Sequence, residues 1–236
     1  MDIIVAACKK NNGIGKDGKL PWKLKNEMNY FRDITTHSPE GMINIVIMGK
    51  NTWFSIPEQH RPLKNRINIV ITSTATIKAP YTFVFKTLTD AFVFAVGYKN
   101  RKKIFIIGGE RLYREAIKQG HCNNIYITEI YKEYECDTFF PDIQNDYSIT
   151  NVSKFKEENQ VHYRHIVYTN NKNLQLNEDP EDKYLALTPL WENLEEKQYI
   201  NTLKKIITFG EETDDRTGVG TMSLFGEKFK YDLRET

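Results

Sequence analysis
The sequence predicts an α/β fold built on a largely parallel sheet, and three observations predict it. Residues 3–7, 43–48, 67–72, 81–85, 104–107 and 125–130 are short runs rich in β-branched and aromatic side chains. Several are continuously apolar rather than alternating, as strands buried on both faces are. Helical patterns at 24–36, 89–98 and 110–118 separate them, and strand alternating with helix gives parallel pairing. Residues 147–156 and 160–169, joined by a polar junction, read as an antiparallel hairpin at the sheet edge.

The 236 residues allow one or two domains. Hydrophobic residues make up 40%, which supplies a core and excludes a disordered or fibrous chain. Lys plus Arg number 33 against 31 Asp plus Glu, so the net charge of +2 gives no drive toward nucleic acid or an anionic membrane. No run reaches the ~18 apolar residues of a membrane helix. The N-terminus, acidic and then briefly apolar, is unlike a signal peptide. Cys8, Cys122 and Cys136 contain no C-x-x-C pair; they read as thiols of a reduced, cytoplasmic protein without a cysteine-based metal site. Cys8 has no base beside it and reads as a buried thiol.

Residues 170–190 are polar without an apolar period and read as a linker. From Trp191 the pattern resumes: Leu194, Tyr199, Leu203 and Ile206 recur near helical spacing and Gly210 stops them. Residues 221–225 and 228–231 then alternate like strands. So short a segment buries little surface alone, so 191–236 reads as the beginning of a larger domain or as a body packed on another.

Gly13-Ile14-Gly15-Lys16-Asp17-Gly18 matches G-x-G-x-x-G. A dinucleotide fingerprint must open a helix, and here Leu20-Pro21-Trp22 follows, so a glycine-bearing loop over a cleft fits better. Glu27 lies among Leu24, Met28, Phe31 and Ile34, on the apolar flank of the first helix. A carboxyl group there holds its proton more tightly, which suits a proton donor; a half-exposed first-turn glutamate fits the same spacing. Met48-Gly49-Lys50-Asn51-Thr52 and Ile107-Gly108-Gly109-Glu110-Arg111 each end a strand in glycine before a helix. Either turn suits phosphate or is an ordinary connection, but two in one sheet suggest a dinucleotide across the strand ends. Arg61 and Arg66, beside Pro62 and Leu63, can clamp a carboxylate or form a solvated turn. The hydroxyls of Thr72 and Ser73 can receive a phosphate or cap the next turn.

Together, in this order, the segments resemble dihydrofolate reductase. The likeness spans residues 1–169 and rests on Ile14-Gly15 through Leu20-Pro21-Trp22, Glu27 with Phe31, Met48 through Trp53, Arg61-Pro62-Leu63 with Arg66, Ile106-Ile107-Gly108-Gly109 with Tyr113, Thr128, and Asp137-Thr138-Phe139-Phe140-Pro141. It implies a twisted, mostly parallel eight-stranded sheet with helices on both faces, and reduction of 7,8-dihydrofolate with NADPH. Glu27 would bind the pterin and favour protonation at N5, Trp22 would hold an ordered water, Thr128 would hydrogen-bond Glu27, and Tyr113 would stand beside the reaction. Val5, Ala6, Met28, Phe31, Ile56, Leu63 and Ile107 would enclose the substrate and Arg66 would clamp its α-carboxylate. For the cofactor, the implied residues are Ala7, Ile14, Gly15, Leu20, Gly49, Lys50, Asn51, Thr52, Ile71, Thr72, Ser73, Ile107, Gly108, Gly109, Arg111, Leu112 and Tyr113. Glu110 falls in the same turn with its carboxylate turned away from pyrophosphate, and the Gly108–Gly109 peptide is expected to be cis. The segment from Gly15 to Trp22 would be a lid. The implied ligands are dihydrofolate and antifolate-type small molecules.

Residues 191–236 resemble the opening of thymidylate synthase. The carriers are residues 196–210 and Asp215-Arg216-Thr217-Gly218-Val219-Gly220-Thr221, and Arg216 would bind a nucleotide phosphate. A reductase, a tether and a synthase in one chain is a bifunctional arrangement, and a complete synthase portion would form a homodimer. The synthase's catalytic cysteine segment lies outside the given sequence, so its reaction is not expected of these residues. Two other readings compete with the reductase: a nucleotide-binding module without turnover, and a partial synthase holding deoxyuridylate through Arg216.

Overall fold
In the computed structural model the parallel sheet forms around β1 (Asp2–Cys8), whose run of apolar residues is buried between two neighbours. The structure describes residues 1–143, 146–175, 211–213 and 221–223. The chain divides into two units, Met1–Leu176 and Asn177–Thr236.

In the first unit β1 is followed by the short β2 (Gly13–Gly15), α1 (Lys25–Thr36), β3 (Ile43–Gly49), α2 (Lys50–Ser55), β4 (Arg66–Ile71) and β5 (Thr82–Phe85). Then come α3 (Leu88–Gly97), β6 (Arg101–Gly108), α4 (Glu110–Lys118), β7 (Asn124–Ile130) and β8 (Thr138–Phe139). The unit closes with β9 (Tyr147–Val152), β10 (Lys156–Glu158), β11 (Val161–Asn170) and α5 (Asn171–Gln175).

The sheet has nine strands in the order β10-β11-β7-β1-β6-β3-β4-β5, with β9 also paired to β11. Pairing from β7 through β5 is parallel, and β11 runs antiparallel to β7. The resemblance implied eight strands, and the sheet is eight positions wide. The ninth arises because the strand opposite β11 is broken: β9 pairs residues Ile166–Asn170 and β10 pairs Val161–Tyr163.

Each face is covered by helices. One core packs Ile3, Ile47, Ile69 and Ile106 with Ala91 and Ala95 of α3 and Leu112 and Ala116 of α4. The other packs Val46, Met48, Val70 and Phe105 with Trp53 of α2 and Phe31 and Ile34 of α1. Two polar residues interrupt the apolar strands and close their surroundings. Asn44 donates to Thr35 O and His37 O at the end of α1 and accepts from Lys103 N. Asn68 donates to Leu63 O and Arg66 O and accepts from Leu63 N, which holds the loop before β4. Both are fully buried, and their hydrogen bonds offset the cost of burying an amide.

Helix α1 begins without a side-chain cap of its own. The carboxylate of Glu158 on β10 supplies one, accepting from Lys25 N at 2.6 Å and Asn26 N at 2.9 Å. The edge hairpin thus fixes the start of the helix that carries Glu27. Cys8, Cys122 and Cys136 are free thiols. Burial first, and Cys136 second, pushes the Cys8 thiol up to about 11, so it is an inert core group at neutral pH.

The structure differs from the expected linker at its start. β11 continues to Asn170 and α5 follows, because the Asn170 amide N–H donates to Asn123 O and its side chain to Cys122 O. In the second unit Glu211–Thr213 pairs antiparallel with Thr221–Ser223. The expected helix before Gly210, the strand at 228–231 and Arg216 lie outside the described residues. No helix among the described residues is long and apolar enough to cross a membrane.

Candidate active site
A cleft of about 1620 Å³ opens along the sheet, lined by β1, by the C-terminal ends of β3, β4 and β6, and by α1, α2 and the start of α4. Ligands of open parallel sheets collect at strand ends of this kind because the following helices offer free N–H groups there.

Glu27 is the one acidic side chain from α1 that borders the cleft, and it is 5% exposed. Burial pushes its carboxyl up from 4.5 to about 7; Thr128 works against this by hydrogen bonding and Glu158 adds to it. Thr128 Oγ1, buried on β7, donates to Glu27 Oε1 at 3.4 Å. The same hydroxyl is 3.0 Å from His165 Nδ1 on β11. Tyr113, on α4, donates its hydroxyl proton to Ile4 O at 3.1 Å, and burial, with Glu27 adding to it, pushes its phenol well above the ordinary tyrosine range, so it keeps its proton.

Arg66 opens β4 and is 7% exposed. Its guanidinium donates to Lys64 O at 3.0 Å and Thr35 Oγ1 at 2.7 Å, and stands 5.9 Å from the Phe31 ring. Those acceptors are neutral, and no salt bridge among the described residues includes Arg66. Burial lowers it to about 10, with Arg32 adding to the effect. It remains a cation at neutral pH, on the cleft wall and without a counter-ion, so an anionic ligand group there would be stabilised. Met28, Phe31, Ile56 and Leu63 supply the apolar wall between the two charged groups' strands and helices.

At the far end, Gly49, Lys50, Asn51, Thr52, Thr72 and Ser73 meet Gly108, Gly109 and Arg111. The Gly108–Gly109 peptide is cis. A Cβ on Gly108 would lie 2.6 Å from Thr52 Oγ1, so only glycine lets the two strand-end turns touch. Lys50 Nζ donates to Thr74 Oγ1 at 3.1 Å. Thr72 Oγ1 accepts from Thr74 N and Ala75 N and so caps its own turn. Cations and hydroxyls around an exposed helix start suit phosphate. Glu110 borders this corner, but both its oxygens are engaged, by Arg114 Nη2 at 2.8 Å and Phe139 N at 3.2 Å.

The comparisons with known proteins agree with this geometry. Residues 1–172 match the family model "Dihydrofolate reductase". The chain belongs to the dihydrofolate reductase family. Among relatives, the dihydrofolate reductase of Heliothis virescens is 40% identical over 167 residues, covering 68% of this chain and 90% of the relative. That of Schistosoma mansoni is 44% identical over 147 residues, or 61% and 79%. Residues 197–236 match the model "Thymidylate synthase". The bifunctional dihydrofolate reductase-thymidylate synthase of Daucus carota is 35% identical over 260 residues, covering 99% of this chain and 49% of the relative. The chain thus spans about half the length of the bifunctional relatives it matches.

Most residues implied by the reductase resemblance converge on the cleft: Val5, Ala6, Ile14, Gly15, Leu20, Ile71, Ile107 and Leu112 line it together with those already placed. Three do not. Thr128 lies behind Glu27 and touches the cleft only through it. Trp22 is buried beside Leu24, Ile130 and Tyr163, and its Nε1 has no partner among the described protein atoms. Ala7 belongs to the apolar core and borders a separate cavity of about 160 Å³ with Ile127 and Phe140. The segment from Gly15 to Trp22 is anchored at its start, where β2 pairs β8 and Asp17 N donates to Asp137 Oδ2 at 2.8 Å. Sequence reasoning missed His165, Tyr30, Thr74 and Lys86. His165 and Tyr30 carry no local signal, since strand register alone brings His165 opposite Thr128.

Proposed function
We propose that the first unit reduces 7,8-dihydrofolate to 5,6,7,8-tetrahydrofolate with NADPH, adding hydride at C6 and a proton at N5. The observation that carries this is Glu27, a buried carboxyl whose titration falls near neutral pH on the wall of the cleft. A proton donor works best when its affinity for the proton matches the working pH. Glu27 would bind the pterin and supply protonation to N5, through water or a pterin tautomer, with Thr128 holding its carboxylate.

The remaining residues position the substrate. Arg66 would take the α-carboxylate in two parallel hydrogen bonds, which a lysine cannot make. Phe31, Met28, Ile56 and Leu63 would exclude water from the rings. The paired-glycine turn, Lys50, Thr52, Thr72, Ser73, Thr74, Lys86 and Arg111 fit a dinucleotide with phosphates at both strand-end turns. When bound, NADPH supplies the hydride. For the second unit, the match over 197–236 supports a thymidylate synthase portion in which Arg216 binds a nucleotide phosphate.

The test is steady-state loss of NADPH absorbance with dihydrofolate. Turnover is expected, falling as pH rises past about 7, where Glu27 loses its proton. Glu27→Gln should lower kcat with NADPH affinity little changed. No turnover by the parent, or an unaltered rate in the variant, would reject the assignment.

A further inference from the structure
A second titratable side chain stands behind Glu27, joined to it through one hydroxyl. We propose that His165 is a positioning residue for Glu27: its Nδ1 sets the direction of the Thr128 hydroxyl, and the protonation of Glu27 is coupled to which nitrogen of the His165 ring carries hydrogen. The role presumes that Glu27 is the acid of the proposed reaction.

Thr128 Oγ1 lies 3.0 Å from His165 Nδ1 and 3.4 Å from Glu27 Oε1. A hydroxyl has one proton to give. When Glu27 is a carboxylate it can only accept, so Thr128 donates to it. The hydroxyl oxygen then accepts from His165, and the ring must carry its proton on Nδ1. When Glu27 is protonated it can donate to Thr128, whose proton turns to Nδ1, and the ring keeps its proton on Nε2. The hydrogen bonds of the charged state all point at the carboxylate and polarise one another. His165 therefore favours the ionised form of Glu27.

The ring is fixed in place for this. Tyr30 stacks on it with centroids 3.7 Å apart and planes 18° apart, and Tyr163 meets it edge-on at 5.6 Å. The strand is pinned by His165 N donating to Ser153 Oγ at 2.9 Å and Ser153 N donating to His165 O at 2.8 Å. Tyr30 belongs to α1, three residues after Glu27, so acid and ring share one helix. Burial, with Lys156 second, pushes His165 down to about 4, so the ring changes tautomer rather than charge over the range in which Glu27 titrates. The other titratable groups acting on the pair are Lys156 and Glu158 from β10, Tyr163 from β11, Tyr30 from α1 and Tyr113 from α4.

The test uses the full chain without ligands, so it does not depend on turnover. Ring-nitrogen NMR of His165 and carboxyl-carbon NMR of Glu27 are followed from pH 5.5 to 8.5. We expect proton occupancy of Nδ1 to rise with the midpoint of Glu27 ionisation. A tautomer ratio flat across that range overturns the coupling in the parent protein, whatever the variants do. His165→Phe keeps a ring against Tyr30 but removes the donor, and should move the Glu27 midpoint up by about half to one pH unit. His165→Asn places an amide near Nδ1 and should restore it despite losing the stack. If Asn shifts the midpoint and Phe does not, the residue only fills space and the proposal fails. If the NMR coupling holds but the parent turns over no dihydrofolate, the reductase reading fails while the link between His165 and Glu27 stands.

Discussion

Replacing Glu27 with Gln should stabilise the protein at pH 8 and leave it nearly unchanged at pH 4.5. The carboxyl titrates at about 7 in the folded state against an ordinary 4.5. Its folded value is the higher, so the native state binds the proton more tightly than the unfolded chain does. The resulting stability is fully present below about pH 4.5 and is lost as pH rises to about 7. At ~1.4 kcal/mol per pH unit, the span is worth about 3 kcal/mol. Glutamine has the shape of the protonated acid and can still meet the Thr128 hydroxyl, so it avoids that loss. Urea unfolding of parent and variant at half-unit pH steps, followed by circular dichroism, reads the difference. Other groups titrate in both proteins and cancel from it. The variant's advantage should grow between pH 4.5 and 7 and then level off. An advantage that does not vary with pH, or a variant weaker at pH 8, would show that Glu27 is not held in a low-dielectric site.

Three further outcomes follow from named contacts. Arg66→Leu should weaken dihydrofolate binding by about 2–5 kcal/mol while leaving affinity for a pterin without the carboxylate tail unchanged; calorimetry with both ligands checks it. Gly108→Ala places a methyl 2.6 Å from Thr52 Oγ1 at a backbone φ of 153°. It should cost about 2–3 kcal/mol of stability, part of which Thr52→Ala recovers in the double variant by denaturant unfolding. Glu158→Ala removes the acceptor for Lys25 N and Asn26 N. It should cost about 1 kcal/mol and speed hydrogen exchange at those two amides more than at the end of α1.

Much of the fold was legible because apolar period is a local property. The runs at 43–48 and 125–130 and the helix at 110–118 appear as β3, β7 and α4 within a residue or two. The short β2 and β8 were not legible, since neither has a period and each exists only through the other. Asn44 and Asn68 stand as single polar residues inside otherwise apolar runs, and the sequence alone does not show the backbone groups that their amides bond.

Glu27 shows where the sequence stops. Helical spacing put its carboxyl on the apolar flank of α1 and left burial and half-exposure both open. Three strands from distant parts of the chain decide between them: β7 brings Thr128, β11 brings His165, and β10 brings the carboxylate that caps α1. The same holds for Arg66, whose lack of a counter-ion depends on which side chains the folded chain places around it. The residue types, their order and the periodicity of the elements were determined by the sequence itself. Which of those side chains lost water, and which came to share a proton, was decided by strand register and packing, because desolvation and hydrogen bonding depend on neighbours that are remote along the chain.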